Sequence, residues 1–198
     1  MKPPLRLGVM GSGKGSNFRA VMEQIVSGRL IAEVRIVISD VNDSGILSLA
    51  RDFQVPGLYV QPGRFRTRME PEIEADIVRL FSEAEVELVV LAGFMRIVKE
   101  PLLSAFPRKI INIHPSLLPK FPGLEAWKQA LVAGEKVTGC TVHYVDANVD
   151  SGEMLGQETV PILPEDSPER LHARIQLSEH KLLPAIIAGI AEKFPGTD

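Results

Sequence analysis

Two rhythms of apolar residues alternate along the first half of the chain. Leu5-Arg6-Leu7-Gly8-Val9-Met10 is a short, β-rich run that leads straight into Gly11-Ser12-Gly13-Lys14-Gly15-Ser16-Asn17. Beyond it Phe18, Val21, Met22 and Ile25 recur at helical spacing, so the order reads strand, glycine turn, helix. Residues 34–39, 87–92 and 109–113 are further buried-strand candidates, and segments around 46–53 and 73–81 carry helical spacing between them. Residues 57–60 form a shorter strand candidate. Such alternation predicts an α/β fold with a mostly parallel central sheet and helices on both faces.

After residue 113 the rhythm changes. Residues 137–145 alternate strictly, 154–161 is a second extended run, and Asp150-Ser151-Gly152 supplies turn chemistry between them. Antiparallel strands are therefore expected beside the parallel core in the C-terminal half. The last segment opens with Ser167 as N-cap and Pro168 at the first helical position, and Leu171, Ile175, Leu182, Ile186 and Ile190 follow at near-helical spacing. Pro184 is expected to kink or interrupt that helix. Without a composition break, a flexible linker or a repeat, residues 1–198 read as a single domain.

Composition narrows the function classes. Hydrophobic residues at 45% and charged residues at 24% supply a buried core and exclude disorder for most of the chain. No apolar run reaches membrane-spanning length, and Met1-Lys2-Pro3-Pro4 lacks a secretory signal, so a cytoplasmic location without membrane partners is expected. Cys140 is the single cysteine and the histidines are scattered at 114, 143, 172 and 180, which predicts no metal site. A net charge of −3 with evenly spread Lys and Arg offers no face for nucleic acid. Any phosphate bound is expected to be small.

A glycine turn at a helix N-terminus gathers backbone N–H groups at the positive end of the dipole, where an anion is the expected guest. Gly8 through Lys14 nearly spells the nucleoside-triphosphate loop, but Gly15 stands where a magnesium-binding hydroxyl belongs and Gly8 lies inside the strand. The dinucleotide fingerprint has its first two glycines in Gly11 and Gly13 but Ser16 at the third, with Asp40 able to reach a ribose. A monophosphate site, a dinucleotide site and a purely structural turn all remain open on these residues.

The run Ile110-Ile111-Asn112-Ile113-His114-Pro115 sets an amide and an imidazole two residues apart as a strand ends, on one face. In a parallel sheet that edge is where ligands bind, and the glycine turn opens on the same edge. An amide donor beside an imidazolium suits a reaction that develops charge on a carbonyl oxygen. The alternative is a turn-capping Asn112 and a satisfied, half-buried His114. Asp150 sits in a polar loop where an acidic turn residue is the ordinary expectation. Folded over the sheet edge, it would hold His114 and favour the imidazolium. His143, His172 and His180 read as structural, and Cys140 as a small core residue.

Four segments together, Gly11 to Asn17, Leu91-Ala92-Gly93-Phe94-Met95-Arg96-Ile97, Asn112-Ile113-His114-Pro115-Ser116-Leu117-Leu118-Pro119, and Gly139-Cys140-Thr141-Val142-His143-Tyr144-Val145 leading to Asp150, resemble the folate-dependent phosphoribosylglycinamide formyltransferase family along almost the whole chain. The resemblance implies a Rossmann-like formyltransferase fold and transfer of the formyl group of 10-formyltetrahydrofolate to the amine of glycinamide ribonucleotide in purine biosynthesis. It implies Gly15, Ser16 and Asn17 at the substrate phosphate, with Gln176 and Glu179 reaching the phosphoribosyl and glycinamide parts. Folate would lie against Met95, Arg96, Ile97 and Val98, with Asn112 and Arg68 as further contacts; Arg64 and Arg66 are neighbours of the last. Asn112, His114 and Asp150 would form the catalytic group, in a monomer or homodimer with small-molecule substrates and no metal. The sequence departs from the family pattern at Glu153, an acid where many relatives carry none. Methionyl-tRNA formyltransferase, a formyltetrahydrofolate hydrolase and a non-catalytic nucleotide- or folate-binding module are the rivals. Chain length counts against the first two.

Overall fold

In the computed structural model, which describes residues 2–194, the extended runs pair into one seven-stranded sheet. In chain order the elements are β1 (Leu5–Met10), α1 (Ser16–Val26), β2 (Ala32–Ser39), α2 (Gly45–Asp52), β3 (Gly57–Tyr59), α3 (Pro71–Glu83), β4 (Leu88–Leu91), α4 (Leu102–Ala105), β5 (Ile110–His114), α5 (Ala126–Val132), β6 (Val137–Tyr144), β7 (Met154–Pro161) and α6 (Pro168–Lys193). The strand order is β3-β2-β1-β4-β5-β6-β7. Strands β1 to β5 run parallel, β6 turns antiparallel to β5, and β7 antiparallel to β6. The winding moves outward from β1 to β3, then resumes at β4 on the other side of β1. That reversal opens a crevice beyond the carboxyl ends of β1 and β4, the place where such sheets take ligands.

Side-chain alternation divides the core between two faces. Leu7, Val9, Leu88, Val90, Ile111, Ile113, Cys140 and Val142 pack with Phe18 and Val21 of α1, Ile46 of α2, and Leu171, Ile175 and Leu183 of α6. Met10, Val89, Leu91 and Ile110 point the other way, onto Ile77 and Phe81 of α3 and Leu102 of α4. Each such side chain, fully buried, contributes roughly 1.5–3 kcal/mol. With a period of two, Asn112 and His114 share the second face with Ile110. Gly8 belongs to that packing: a Cβ there would stand 2.7 Å from the Phe81 ring. Its role is close approach of helix to strand, and the nucleoside-triphosphate loop reading falls.

The two short helices α4 and α5, four and seven residues long, were not anticipated because neither completes enough turns to show a period. Helix α6 starts as expected, with the Ser167 hydroxyl accepting from the Arg170 N–H at 3.3 Å and Pro168 in its first turn. It then runs through Pro184 to Lys193, so of the kink or interruption expected there the interruption does not occur. Burial of Leu182, Leu183, Pro184 and Ile187 holds the helix together across the position where Pro184 cannot donate. No described helix is long and apolar enough to cross a membrane.

Candidate functional site

The carboxyl end of β5 and the neighbouring stretch of β6 assemble a polar group within the second face. The antiparallel register sets Asn112 opposite His143 and His114 opposite Thr141, so the amide and both imidazoles share one side of the sheet. The loop after β6 then folds back and brings Asp150 among them, with a left-handed backbone at φ 50°. One carboxylate oxygen of Asp150 lies 3.4 Å from Nδ1 of His114 and accepts the Gly123 N–H at 2.8 Å. The other lies 3.5 Å from Nδ2 of Asn112 and 3.6 Å from Nε2 of His143. Residues 112, 114 and 150, far apart in the chain, therefore meet.

The neighbours dictate where the ring protons sit. Nε2 of His114 is 2.9 Å from the Phe121 carbonyl, which only accepts, so that nitrogen carries a hydrogen and Nδ1 is left facing Asp150. Nδ1 of His143 donates to the Tyr144 carbonyl at 2.8 Å, which leaves Nε2 to accept from the Asn112 amide at 3.2 Å. His143 thus fixes which way the Asn112 amide faces. The imidazolium expected at His114 needs correction. Burial pushes its pKa down more than the Asp150 charge and the Phe121 carbonyl pull it up, with His143 adding to the fall. His114 is mainly neutral in the free site at neutral pH, with Nδ1 able to accept a proton. Asp150 stays ionised: its own burial is outweighed by the neighbouring His143 and His114 imidazoles and by the Gly123 N–H, which hold its carboxyl below the ordinary range.

The loop carrying Asp150 is pinned from several sides. Lys99 Nζ donates to the Ala147 carbonyl at 2.5 Å, and Asp146 accepts from Asn148 N and Ser151 Oγ, both at 2.9 Å. Gly152 is required by space, since a Cβ would fall 1.7 Å from the Tyr144 oxygen. Glu153, the departure from the family pattern, pairs with Arg108 at 2.7 Å on the surface, so its charge is balanced outside the polar group.

The glycine turn builds a cradle of a different kind. Gly15 is the N-cap of α1 at φ 78°, where a Cβ would also approach Ile46 Cα to 2.8 Å. No side chain caps α1 and its first turn holds no acid, so no side chain competes with an anion for its first N–H groups. The Asn17 side chain is turned away to α6, its Nδ2 donating to Glu179 at 2.8 Å while its Oδ1 is buried with no partner. Burial raises the Glu179 carboxyl from 4.5 to about 7, the Asn17 bond opposing. Gln176 lies one turn earlier on α6, on the same side as Glu179. Only β4 separates β1 from β5, so cradle and polar group are about 10 Å apart along one edge.

The segment after β4 lines the crevice between them. Ile97 N–H donates to the Thr67 carbonyl at 2.8 Å and Ile97 bridges Arg68 in parallel, joining two backbone walls. Met95 is exposed, whereas Val98 is buried in the second core and offers only its backbone. The Arg96 guanidinium is committed inside the protein, to Asp40 and to the carbonyls of Phe65, Arg66 and Arg68. The Arg68 guanidinium lies 4.2 Å over the Phe65 ring. Asp40 serves protein donors where a ribose contact was open to it: one oxygen accepts from Ser12 Oγ and the other from Arg96 Nε, each at 2.6 Å. The family described as formyl transferase matches residues 5–187.

The chain belongs to the formyl transferase family. It is 38% identical over 182 residues to phosphoribosylglycinamide formyltransferase of Bacillus subtilis (strain 168), covering 92% of each chain. That match places it among the phosphoribosylglycinamide formyltransferases. The crystal structure of glycinamide ribonucleotide transformylase 1 from Symbiobacterium toebii superposes with a TM-score of 0.91 at 44% identity, over 96% of this chain and 89% of that one. Trifunctional purine biosynthetic protein adenosine-3 of Drosophila pseudoobscura pseudoobscura is 44% identical over 194 residues, and the chain spans 14% of its length. The expected Rossmann-like formyltransferase fold is thus the one observed.

Within this formyl transferase chain, His143 is the site residue that sequence reasoning passed over. Its signal was present: position 143 has the parity of 139 and 141 in an alternating strand, and an antiparallel partner ending in Asn-x-His would face it. Asp40 is also placed differently from the ribose contact the sequence left open, because a carboxylate after β2 does not reveal whether it meets a ligand or an arginine. His172 stacks on Trp127 with ring centroids 3.8 Å apart, and the Cys140 thiol is pushed up to about 12 by burial, in line with packing roles for both.

Proposed function

We propose that this protein transfers the formyl group of 10-formyltetrahydrofolate to the amine of 5-phosphoribosylglycinamide in de novo purine (IMP) biosynthesis. The observation that carries the reading is the convergence of Asn112, His114 and Asp150 at the same sheet edge as the α1 cradle. Membership of the formyl transferase family supports it. The N–H groups of Gly15, Ser16 and Asn17 take the substrate phosphate, and Gln176 and Glu179 face its phosphoribosyl and glycinamide parts. The unpartnered Asn17 oxygen fits a donor from that substrate, and the Gly15 position keeps open the space a Cβ would fill. The backbone of residues 95–98, with Asn112 and Arg68, holds the formyl folate; the residues there offer backbone edges and an exposed Met95 suited to a flat heterocycle.

The neutral amine attacks the formyl carbon, and the carbonyl π pair moves to oxygen. Asn112 Nδ2, oriented by His143, donates to that oxygen. Nδ1 of His114 accepts the proton that the new C–N bond makes acidic, and the imidazolium so formed lies between Asp150 and the oxyanion. Asp150 stabilises it by charge. When the carbonyl reforms and the bond to the folate nitrogen breaks, His114 returns the proton to that nitrogen, directly or through water. The step needs no covalent enzyme intermediate.

The test is an assay of purified protein with glycinamide ribonucleotide and 10-formyltetrahydrofolate, following the deformylated folate and the formylated product, with water as the competing acceptor. Stoichiometric formylation of the amine supports the reading. Release of formate alone would assign a hydrolase, and binding without turnover a non-catalytic module.

A further inference from the structure

Three strand ends meet at the crevice, and one carboxylate joins them. Asp40 follows β2, Ser12 follows β1 and Arg96 follows β4, strands that lie side by side. Oδ1 of Asp40 accepts the Ser12 hydroxyl hydrogen at 2.6 Å. The Ser12 oxygen is thereby oriented to accept, and it receives the Met95 N–H at 2.9 Å. Oδ2 of Asp40 accepts Arg96 Nε at 2.6 Å. Residues 95 and 96 are both anchored, by different routes, to one side chain. The remaining reach of Arg96 goes to the Phe65 carbonyl at 2.6 Å and the Arg66 carbonyl at 3.2 Å, so the second wall hangs on the same carboxylate. The pair is nearly dry, with side-chain exposure of 6% for Asp40 and 15% for Arg96, so it is fixed rather than fluctuating with solvent.

We propose that Asp40 is a positioning residue for formyl-folate binding, holding the walls at residues 65–68 and 95–98 at a set distance from the glycine turn through Ser12 and Arg96. The inference rests on the proposed function for its ligand, and the carboxylate itself touches no substrate. A binding wall made of backbone has no side chain of its own to tune. Its placement is decided by whatever holds the backbone, and here that is an ion pair and a serine relay. The phosphate cradle beyond Ser12 has an anchor of its own, since Ile46 N of α2 donates to the Gly13 carbonyl at 3.0 Å. Loss of Asp40 should therefore separate the two substrates.

The test uses Asp40→Asn, which retains shape but leaves one acceptor oxygen for two donors. Calorimetric titration with 5,8-dideazafolate, a folate analogue without a transferable group, should show Kd raised roughly ten- to a hundredfold, the scale of a wall misplaced by about an ångström. Kd for glycinamide ribonucleotide should stay within about twofold, and ligand-free amide exchange should quicken at Met95 and Ile97 but not in β5. Arg96→Lys, which keeps the charge but loses the fork to the 65 and 66 carbonyls, should weaken the analogue by less. The double variant should be no worse than Asp40→Asn alone. If Asp40→Asn does not fold, Ser12→Ala removes only the Met95 anchor and should move the same two readouts in the same direction. An unchanged analogue Kd in a folded variant, or equal loss for both ligands, overturns the positioning role while leaving the formyl-folate reading intact. Failure of the unaltered protein to bind 5,8-dideazafolate overturns that reading and the proposal with it.

Discussion

The two halves of the crevice are built from different materials. At the end of β1 the cradle is backbone: a glycine at φ 78°, a helix N-terminus without a side-chain cap, and dipoles that hold their direction at any pH. At the ends of β5 and β6 the working parts are side chains, an amide and two imidazoles each within 3.6 Å of one carboxylate. The contrast teaches where each function is vulnerable. Binding at the cradle is lost by changing shape, whereas chemistry at the polar group is lost by removing one side chain. A rotated Asn112 amide would abolish a donor without altering the fold, which is why a buried His143 stands behind it.

Variants at the two halves should therefore fail in different ways. The largest effect is expected for His114→Ala, which removes the proton carrier: turnover should fall on the order of a hundred- to a thousandfold, read in steady-state formyl transfer, with both Michaelis constants little changed. Gly15→Ala attacks the other half. It places a Cβ 2.8 Å from Ile46 Cα and disfavours the left-handed backbone, so the Michaelis constant for the phosphorylated substrate should rise by up to roughly thirtyfold, equivalent to ~2 kcal/mol, while turnover at saturation survives.

A smaller effect concerns pH. The Glu179 carboxyl is raised to about 7 in the folded protein from an ordinary 4.5, so between those values the folded state holds its proton more tightly than the unfolded chain. Stability is therefore lost as pH rises through that window, on the order of 1–3 kcal/mol. Glu179→Gln should raise Tm by a few degrees at pH 8 and change it little at pH 4, measured by differential scanning calorimetry. A gain of equal size at both pH values would place the cause outside ionisation. Smallest of all is Glu153→Gln, which breaks only the exposed pair with Arg108; turnover should be unchanged within error. A marked fall would show that the Asp150 loop depends on that surface contact.

The parallel half of the sheet was legible because β1, β4 and β5 are short apolar runs buried on both faces, a pattern that needs no partner to be read. Asn112 and His114 were legible for a related reason: spacing of two at a strand end fixes their common face. What escaped is tertiary in origin. His143 belongs to the polar group only through the β5–β6 register, which neither strand encodes alone. The charge state of His114 was misread because the attraction of Asp150 could be foreseen, whereas the larger cost of burial depends on how the whole second face closes over the ring. The role of Asp40 was left open likewise, since its partners come from the segments after β1 and β4 and from no neighbouring residue. Pro184 does not interrupt α6 because the buried surface of a 26-residue helix outweighs one missing hydrogen bond.

The account turns on an oxyanion donor acting in the transition state, and Asn112 is that donor without a competing duty in proton transfer. The decisive measurement is kcat for formyl transfer by Asn112→Ala at saturating concentrations of both substrates. The predicted result is a fall of roughly a hundred- to a thousandfold with near-normal Michaelis constants. Turnover within a few-fold of the unaltered protein would contradict it.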